Sequence, residues 1–129
     1  MRSFVLSAAL ILVGLGSAQA QDAAAGEKVF AQCRACHQVG PAAKNAVGPV
    51  LNGLFGRKAG TVEGYNYSPA NKNSGLTWDE ATFRDYIKDP RAKIPGTKMV
   101  YAGLNDEQRI NDLIAYLKQF DAQGQKASQ

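Results

Sequence analysis

The chain has few of the residues that most often do chemistry. Its 129 residues hold one histidine and two cysteines, and all three fall within five positions, as Cys33, Cys36 and His37. A structural zinc site wants four Cys or His ligands, and nothing else in the chain can complete one. No segment alternates apolar and polar residues as a half-buried strand does, and no internal repeat is visible. Without strands, the two cysteines have no thioredoxin-like sheet on which to work as a redox pair. No apolar run reaches the ~20 residues needed to cross a bilayer. Positive charge is only in mild excess, a formal +4 with the lysines dispersed, too little to argue for nucleic-acid binding but enough to favour an acidic docking partner.

What is present begins with residues 1–20. Arg2 precedes the apolar "FVLSAALILVGLG", and Ala18-Gln19-Ala20 ends the block. A basic start, a short apolar stretch and a small-x-small site make a secretory signal peptide, with cleavage expected after Ala20. Loss of Arg2 takes the formal charge from +4 to +3. Residues 21–129 are then one small domain, whose own apolar core is modest at this size.

Helical signals punctuate that domain. "DAAAGEKVFAQCRAC" reads as a helix capped by Asp22, with Val29, Phe30 and Cys33 on one face. Ser68 before Pro69 marks a short one. "TWDEATFRDYIKDP" carries a capping box, Thr77 with Glu80, and is expected to end at Pro90. "NDEQRINDLIAYLKQF" is the strongest, with Asn105 as cap and Ile110, Leu113, Ile114 and Leu117 at helical spacing. Residues 38–66 and 91–104 are glycine- and proline-punctuated loops, and the polar tail after Phe120 reads as frayed. The class is all-α with long loops, and loops of that length in a compact domain usually wrap something.

Cys33-x-x-Cys36-His37 admits a disulfide, a metal site or c-type haem attachment. The last accounts for most. Two thiols a helical turn apart can add to the two vinyl groups on one side of a porphyrin, and the next residue sets its imidazole under the iron. A covalently held haem also supplies the core that the chain lacks. For the second axial position Met99, in "PGTKMVYAG", is the only thioether besides Met1, which leaves with the signal. Spacing alone leaves Met99 either a ligand or a gap-filler in the core.

The chain resembles the class I c-type cytochromes, in particular mitochondrial cytochrome c and bacterial cytochrome c2. The match covers nearly all of residues 22–120 and rests on "CRACH", "GPVLNGLFGRKAG", "YNYSPANKNSGLTW", "IPGTKMVYAGL" and "DLIAYLK". The resemblance implies three main helices with short helices and long loops around one covalently bound haem c. It implies attachment through Cys33 and Cys36, and His37 and Met99 as iron ligands. It places the Pro49 carbonyl on the ligand histidine, and Arg57, Tyr67 and Trp78 around a buried propionate. Asn71, Tyr86 and Thr97 form a polar set near the methionine. Gly26 and Phe30 meet Leu113 and Tyr116 where the first and last helices cross.

Such proteins are monomeric one-electron carriers, not enzymes, and neither bind nucleic acid nor insert stably in membranes. The resemblance implies a cytochrome bc1-type quinol oxidoreductase as donor and an oxidase or photosynthetic reaction centre as acceptor. With the signal peptide, it implies the bacterial periplasm. The alternative, a haem peroxidase or gas-binding haem protein, needs an open distal side with an acid–base residue, and no second histidine is there to serve. Arg34, Lys44, Arg57, Lys58, Arg91, Lys93 and Lys98 lie in the stretches expected to surround the haem. Gln32, Ala46, Asn105 and Asp106 stand where mitochondrial cytochrome c carries lysines, so charge for docking is thin.

Overall fold

A computed structural model describes residues 21–127 and Gly14. Residues 1–20, expected to be a signal peptide, otherwise lie outside the described residues. Within them the helices are α1 (Ala23–Phe30), α2 (Pro69–Lys72), α3 (Glu80–Lys88), α4 (Pro90–Lys93) and α5 (Glu107–Lys118), with a 3-10 turn at Ala31–Cys33 after α1. Among the described residues β pairing is limited to isolated bridges, Lys58 with Thr77 and Phe120 with Lys126.

The frame is α1 crossed on α5. Asp22 caps α1 by accepting the N–H groups of Ala24 and Ala25, and its own N–H goes to the buried Asp112 carboxylate of α5 at 3.0 Å. Gly26 makes the crossing possible. A Cβ there would run into the Asp112 carbonyl and come within 2.8 Å of Tyr116 Cβ. Phe30 fills the contact, its ring 5.4 Å from that of Tyr116. Ile110, Leu113, Ile114 and Leu117 bury the inner stripe of α5, as their spacing predicts.

Several local expectations change. The first helix stops at Phe30 and tightens into the 3-10 turn, so the cysteines lie beyond it. Asp79, not Thr77, caps α3, accepting Thr82 N–H at 2.7 Å. Thr77 is committed to the bridge with Lys58, and a carboxylate is the stronger acceptor at a helix N-terminus. Asp106 likewise replaces Asn105 as cap of α5, accepting Arg109 N–H at 2.9 Å. Pro90 does end α3, but it also opens α4, where its missing N–H costs nothing. The tail is not frayed up to residue 127. Asp121 turns it back, Ala127 N–H reaches the Gln119 carbonyl at 2.8 Å, and Gly53 N–H bonds the Phe120 carbonyl at 3.1 Å.

Candidate functional site: a cavity between the loops

The long loops enclose a cavity of about 380 Å³ against α3 and α5. All eleven residues singled out from the sequence line it: Cys33, Cys36, His37, Pro49, Arg57, Tyr67, Asn71, Trp78, Tyr86, Thr97 and Met99. Apolar walls come from Phe30, Leu54, Phe83, Leu113 and Leu117.

One side is built by the turn after α1. Cys36 and His37 both donate their N–H to the Cys33 carbonyl, at 3.1 and 2.9 Å, so the thiols and the imidazole sit on one tight turn. His37 Nδ1 is 2.8 Å from the Pro49 carbonyl oxygen. A carbonyl can only accept, so Nδ1 carries the proton and Nε2 keeps its lone pair. Gly48 packs flat on the ring, where an added Cβ would come within 2.7 Å of Nδ1. Burial holds the imidazole below its ordinary pKa, opposed by the Pro49 hydrogen bond and helped by Arg57. The Cys33 thiol is pushed up to about 11 by burial and by Cys36.

The opposite wall carries Met99. Tyr86, on α3, donates its O–H to Met99 Sδ at 3.3 Å and lies 3.1 Å from Thr97 Oγ1. Thr97 Oγ1 also accepts the Met99 N–H at 3.3 Å. With the one tyrosine proton spent on sulfur, Thr97 is the donor to the tyrosine oxygen, and the three residues lock one another. Burial raises the Tyr86 pKa, which keeps it a donor.

The floor holds donors for an acidic group. Arg57 Nη1 donates to the carbonyls of Val50 and Asn52, both at 3.1 Å. Backbone bonds from Trp78 N–H to the Arg57 carbonyl and from Ala59 N–H to the Leu76 carbonyl, each 2.8 Å, set Arg57 and Trp78 side by side. Tyr67 accepts Val62 N–H at 3.0 Å and keeps its own proton to give. Asn71 Oδ1 is buried with no hydrogen-bond partner among the described residues.

This donor set fits a haem: twin thiols, an imidazole with a free Nε2 lone pair, a thioether, apolar walls and half-buried or buried donors for carboxylates. Of the basic residues named from the sequence, Arg57 and Lys98 line the cavity. Arg34 instead lies over the Phe30 ring at 5.0 Å and bonds the Tyr116 hydroxyl at 3.1 Å. Lys93 pairs with Asp85 at 3.3 Å. Tyr65 was not anticipated. It lines the cavity and packs edge-on to Tyr67, ring centroids 4.8 Å apart. The signal was present, since Tyr65 and Tyr67 flank Asn66 two positions apart.

Known proteins agree with this chemistry. The family model for cytochrome c matches residues 23–121. The cytochrome c2 of Blastochloris viridis is 62% identical over 126 residues, 98% of this chain and 99% of that protein. The cytochrome c-550 of Bradyrhizobium diazoefficiens is 63% identical over 102 residues, 79% of this chain and 75% of that one. Among solved structures, cytochrome cH from Methylobacterium extorquens superposes with a TM-score of 0.72 at 54% identity, over 76% of this chain and 98% of its own. Cytochrome c2 from Rhodospirillum centenum gives 0.74 at 44% identity, over 78% and 98%. The alternative of a haem enzyme is thereby set aside, and Cys33 and Cys36 fit the family's attachment motif. The chain belongs to the cytochrome c family, as a class I c-type cytochrome among the cytochromes c2, an electron carrier with one covalently bound haem c.

Proposed function

We propose that this cytochrome is a soluble periplasmic shuttle whose iron is closed on both sides, by His37 and by Met99. The observation that carries the reading is Met99 Sδ in the same cavity as His37, held at 3.3 Å by Tyr86. When bound, haem supplies a one-electron couple, and a thioether ligand favours a high potential. The chain's own residues do the rest. Cys33 and Cys36 tether the group. Pro49 fixes the tautomer and orientation of the His37 ring. Arg57, Tyr67 and Trp78 compensate a buried carboxylate, and Asn71, Tyr86 and Thr97 form the polar wall beside Met99. With His37 and Met99 both holding the iron, substrates would be shut out and only electrons would pass.

The leader 1–20 is removed on export, leaving 21–129 as one monomeric domain. A cytochrome bc1-type complex donates, and a terminal oxidase or photosynthetic reaction centre accepts. Met99→Ala tests the ligation. The variant should lose the far-red thioether–iron band of the ferric form and bind carbon monoxide when ferrous. A variant that keeps the band and stays closed to carbon monoxide would mean that another residue is the ligand. Intact mass should equal residues 21–129 plus one haem. Oxidation of the reduced protein by membranes of its own host identifies the acceptor.

A further inference from the structure

The tail beyond α5 grips the loop that follows His37, away from the haem cavity. Asp121 accepts the N–H groups of Gln123 and Gln125 on one carboxylate oxygen, both at 2.9 Å, and so folds residues 121–125 into a hook. Gly124, within the hook, is buried with φ +77° and packs on Gly40 and Asn52. A Cβ there would run into the Gly40 carbonyl and come within 2.6 Å of Asn52 Nδ2. Asn52 is held at both ends of its amide. Its Oδ1 accepts Gly40 N–H and its Nδ2 donates to the Gly40 carbonyl, each at 2.9 Å. The next residue, Gly53, gives its N–H to the Phe120 carbonyl at 3.1 Å and lies against Ala122. Gly40, Asn52, Gly53 and Gly124 do not line the cavity.

Asn52–Gly53 is the only Asn-Gly step in the chain. Such a step is prone to rearrange, because glycine has no side chain to shield its nitrogen. The nitrogen gives its proton to hydroxide and attacks Asn52 Cγ. A C–N bond forms, the Cγ–Nδ2 bond breaks and ammonia leaves. Water then opens the cyclic imide to aspartate or isoaspartate. We propose that the hook at residues 121–125 is the lock on this modification site: ordered, it keeps Asn52 an amide, and released, it lets Asn52–Gly53 convert. Ring closure needs both partners free. Bringing Cγ onto the Gly53 nitrogen turns the amide away from Gly40, and the nitrogen must leave the Phe120 carbonyl. Conversion therefore proceeds from locally opened molecules, and its rate follows their share. The product cannot restore the lock. A carboxylate only accepts, so it would meet the Gly40 carbonyl with no donor, three positions from the Pro49 carbonyl that fixes the His37 ring.

The test uses the haem-loaded full chain at mildly alkaline pH, with peptide masses read for acid and isoaspartate at residue 52. The parent should keep the amide over a period in which the same protein in denaturant converts. Asp121→Ala removes the two hydrogen bonds that shape the hook and should speed conversion on the order of tenfold. Gly124→Ala drives a methyl against the Gly40 carbonyl and should act in the same direction. Both should also speed amide hydrogen exchange at Gly40 and Gly53. Asp79→Ala uncaps α3 instead. It lowers stability without touching the hook and should convert at close to the parent rate.

A parent that converts as fast as the denatured chain would overturn the lock. So would hook variants that convert at the parent rate. If Asp79→Ala converts as fast as the hook variants, conversion follows global unfolding and the hook is no lock. None of these outcomes depends on which residue is the second iron ligand, so the ligation reading and the lock fail separately.

Discussion

Tyr86 shows how much one hydroxyl can control. It bonds the Met99 sulfur at 3.3 Å and meets Thr97 at 3.1 Å, while its ring packs 4.9 Å from that of Trp78. The ring is core and the hydroxyl is chemistry, so Tyr86→Phe separates the two. On the proposed ligation by Met99, a hydrogen bond to the sulfur draws electron density from the iron's ligand, so its loss should stabilise the ferric form and lower the reduction potential. The helices should keep their stability to within the ~0.5–1.5 kcal/mol of one hydrogen bond. Voltammetry and thermal melts of the same variant check both halves. An unchanged potential would mean that the bond does not reach the iron. At this scale the sequence was most informative where residue types are rare. One imidazole, two thiols and one available thioether leave few ways to build a haem site. Tyr65 and Leu54 were hidden because a loop has no period to mark which side chains face inward.

At the scale of elements, the helix interiors were legible and the ends were not. The stripe on α5 follows from spacing alone, but the caps fall one and two positions beyond the expected Asn105 and Thr77, at Asp106 and Asp79, and that choice depends on what else each backbone is doing. Thr77 is spent on the bridge to Lys58, a contact across nineteen positions that no local pattern reveals. The tail was misread for the same reason, since its order comes from turning back on Asp121 and packing Gly124 on the Gly40 carbonyl. Asp79 offers a test through pH. Its bonds to the start of α3 hold the carboxyl below its ordinary 3.8. A depressed value means that the contribution is complete above the unfolded pKa and fades as pH falls through the folded one. Asp79→Ala should therefore melt below the parent protein at neutral pH, and the two should converge in strong acid. Asp79→Asn should lose less at neutral pH, and its gap to the parent should close over the same pH range, because neither variant carries the titrating carboxyl. The α1–α5 crossing is less forgiving. Gly26→Ala forces a methyl against the Asp112 carbonyl, and overpacking of this kind costs about 1–3 kcal/mol. Denaturant midpoints measure it. A neutral effect would mean that the helices can slide apart.

At the scale of the whole molecule, exposed apolar side chains and exposed charge are arranged differently. Val47 and Val100, 72% and 87% exposed, both line the mouth of the haem cavity, whereas the basic residues are spread. Lys118 is matched locally by Glu80 at 2.7 Å and Lys88 by Glu107 at 2.5 Å. Charges on Lys44, Lys58 and Arg91 are exposed and can steer an acidic partner from a distance. Steering acts on the association rate and is screened over about 8 Å at physiological salt. A partner seated on the mouth would, by contrast, meet the apolar Val47 and Val100 side chains, and contact of that kind acts on how long a complex lasts. Association with an acidic redox partner should therefore slow as salt rises, with a gentler slope than for a cytochrome with lysines at positions 32, 46, 105 and 106. Arg91→Gln should slow association more than Lys118→Gln, because Glu80 already offsets the latter charge. Val47→Ser and Val100→Ser should leave the salt slope unchanged and speed dissociation instead. Removing a buried apolar contact of this size costs on the order of 1 kcal/mol, about a fivefold shorter lifetime. Stopped-flow association and dissociation rates across an ionic-strength series separate the two. A salt-independent association rate would remove steering from the account, and serine variants that dissociate at the parent rate would remove the apolar contact.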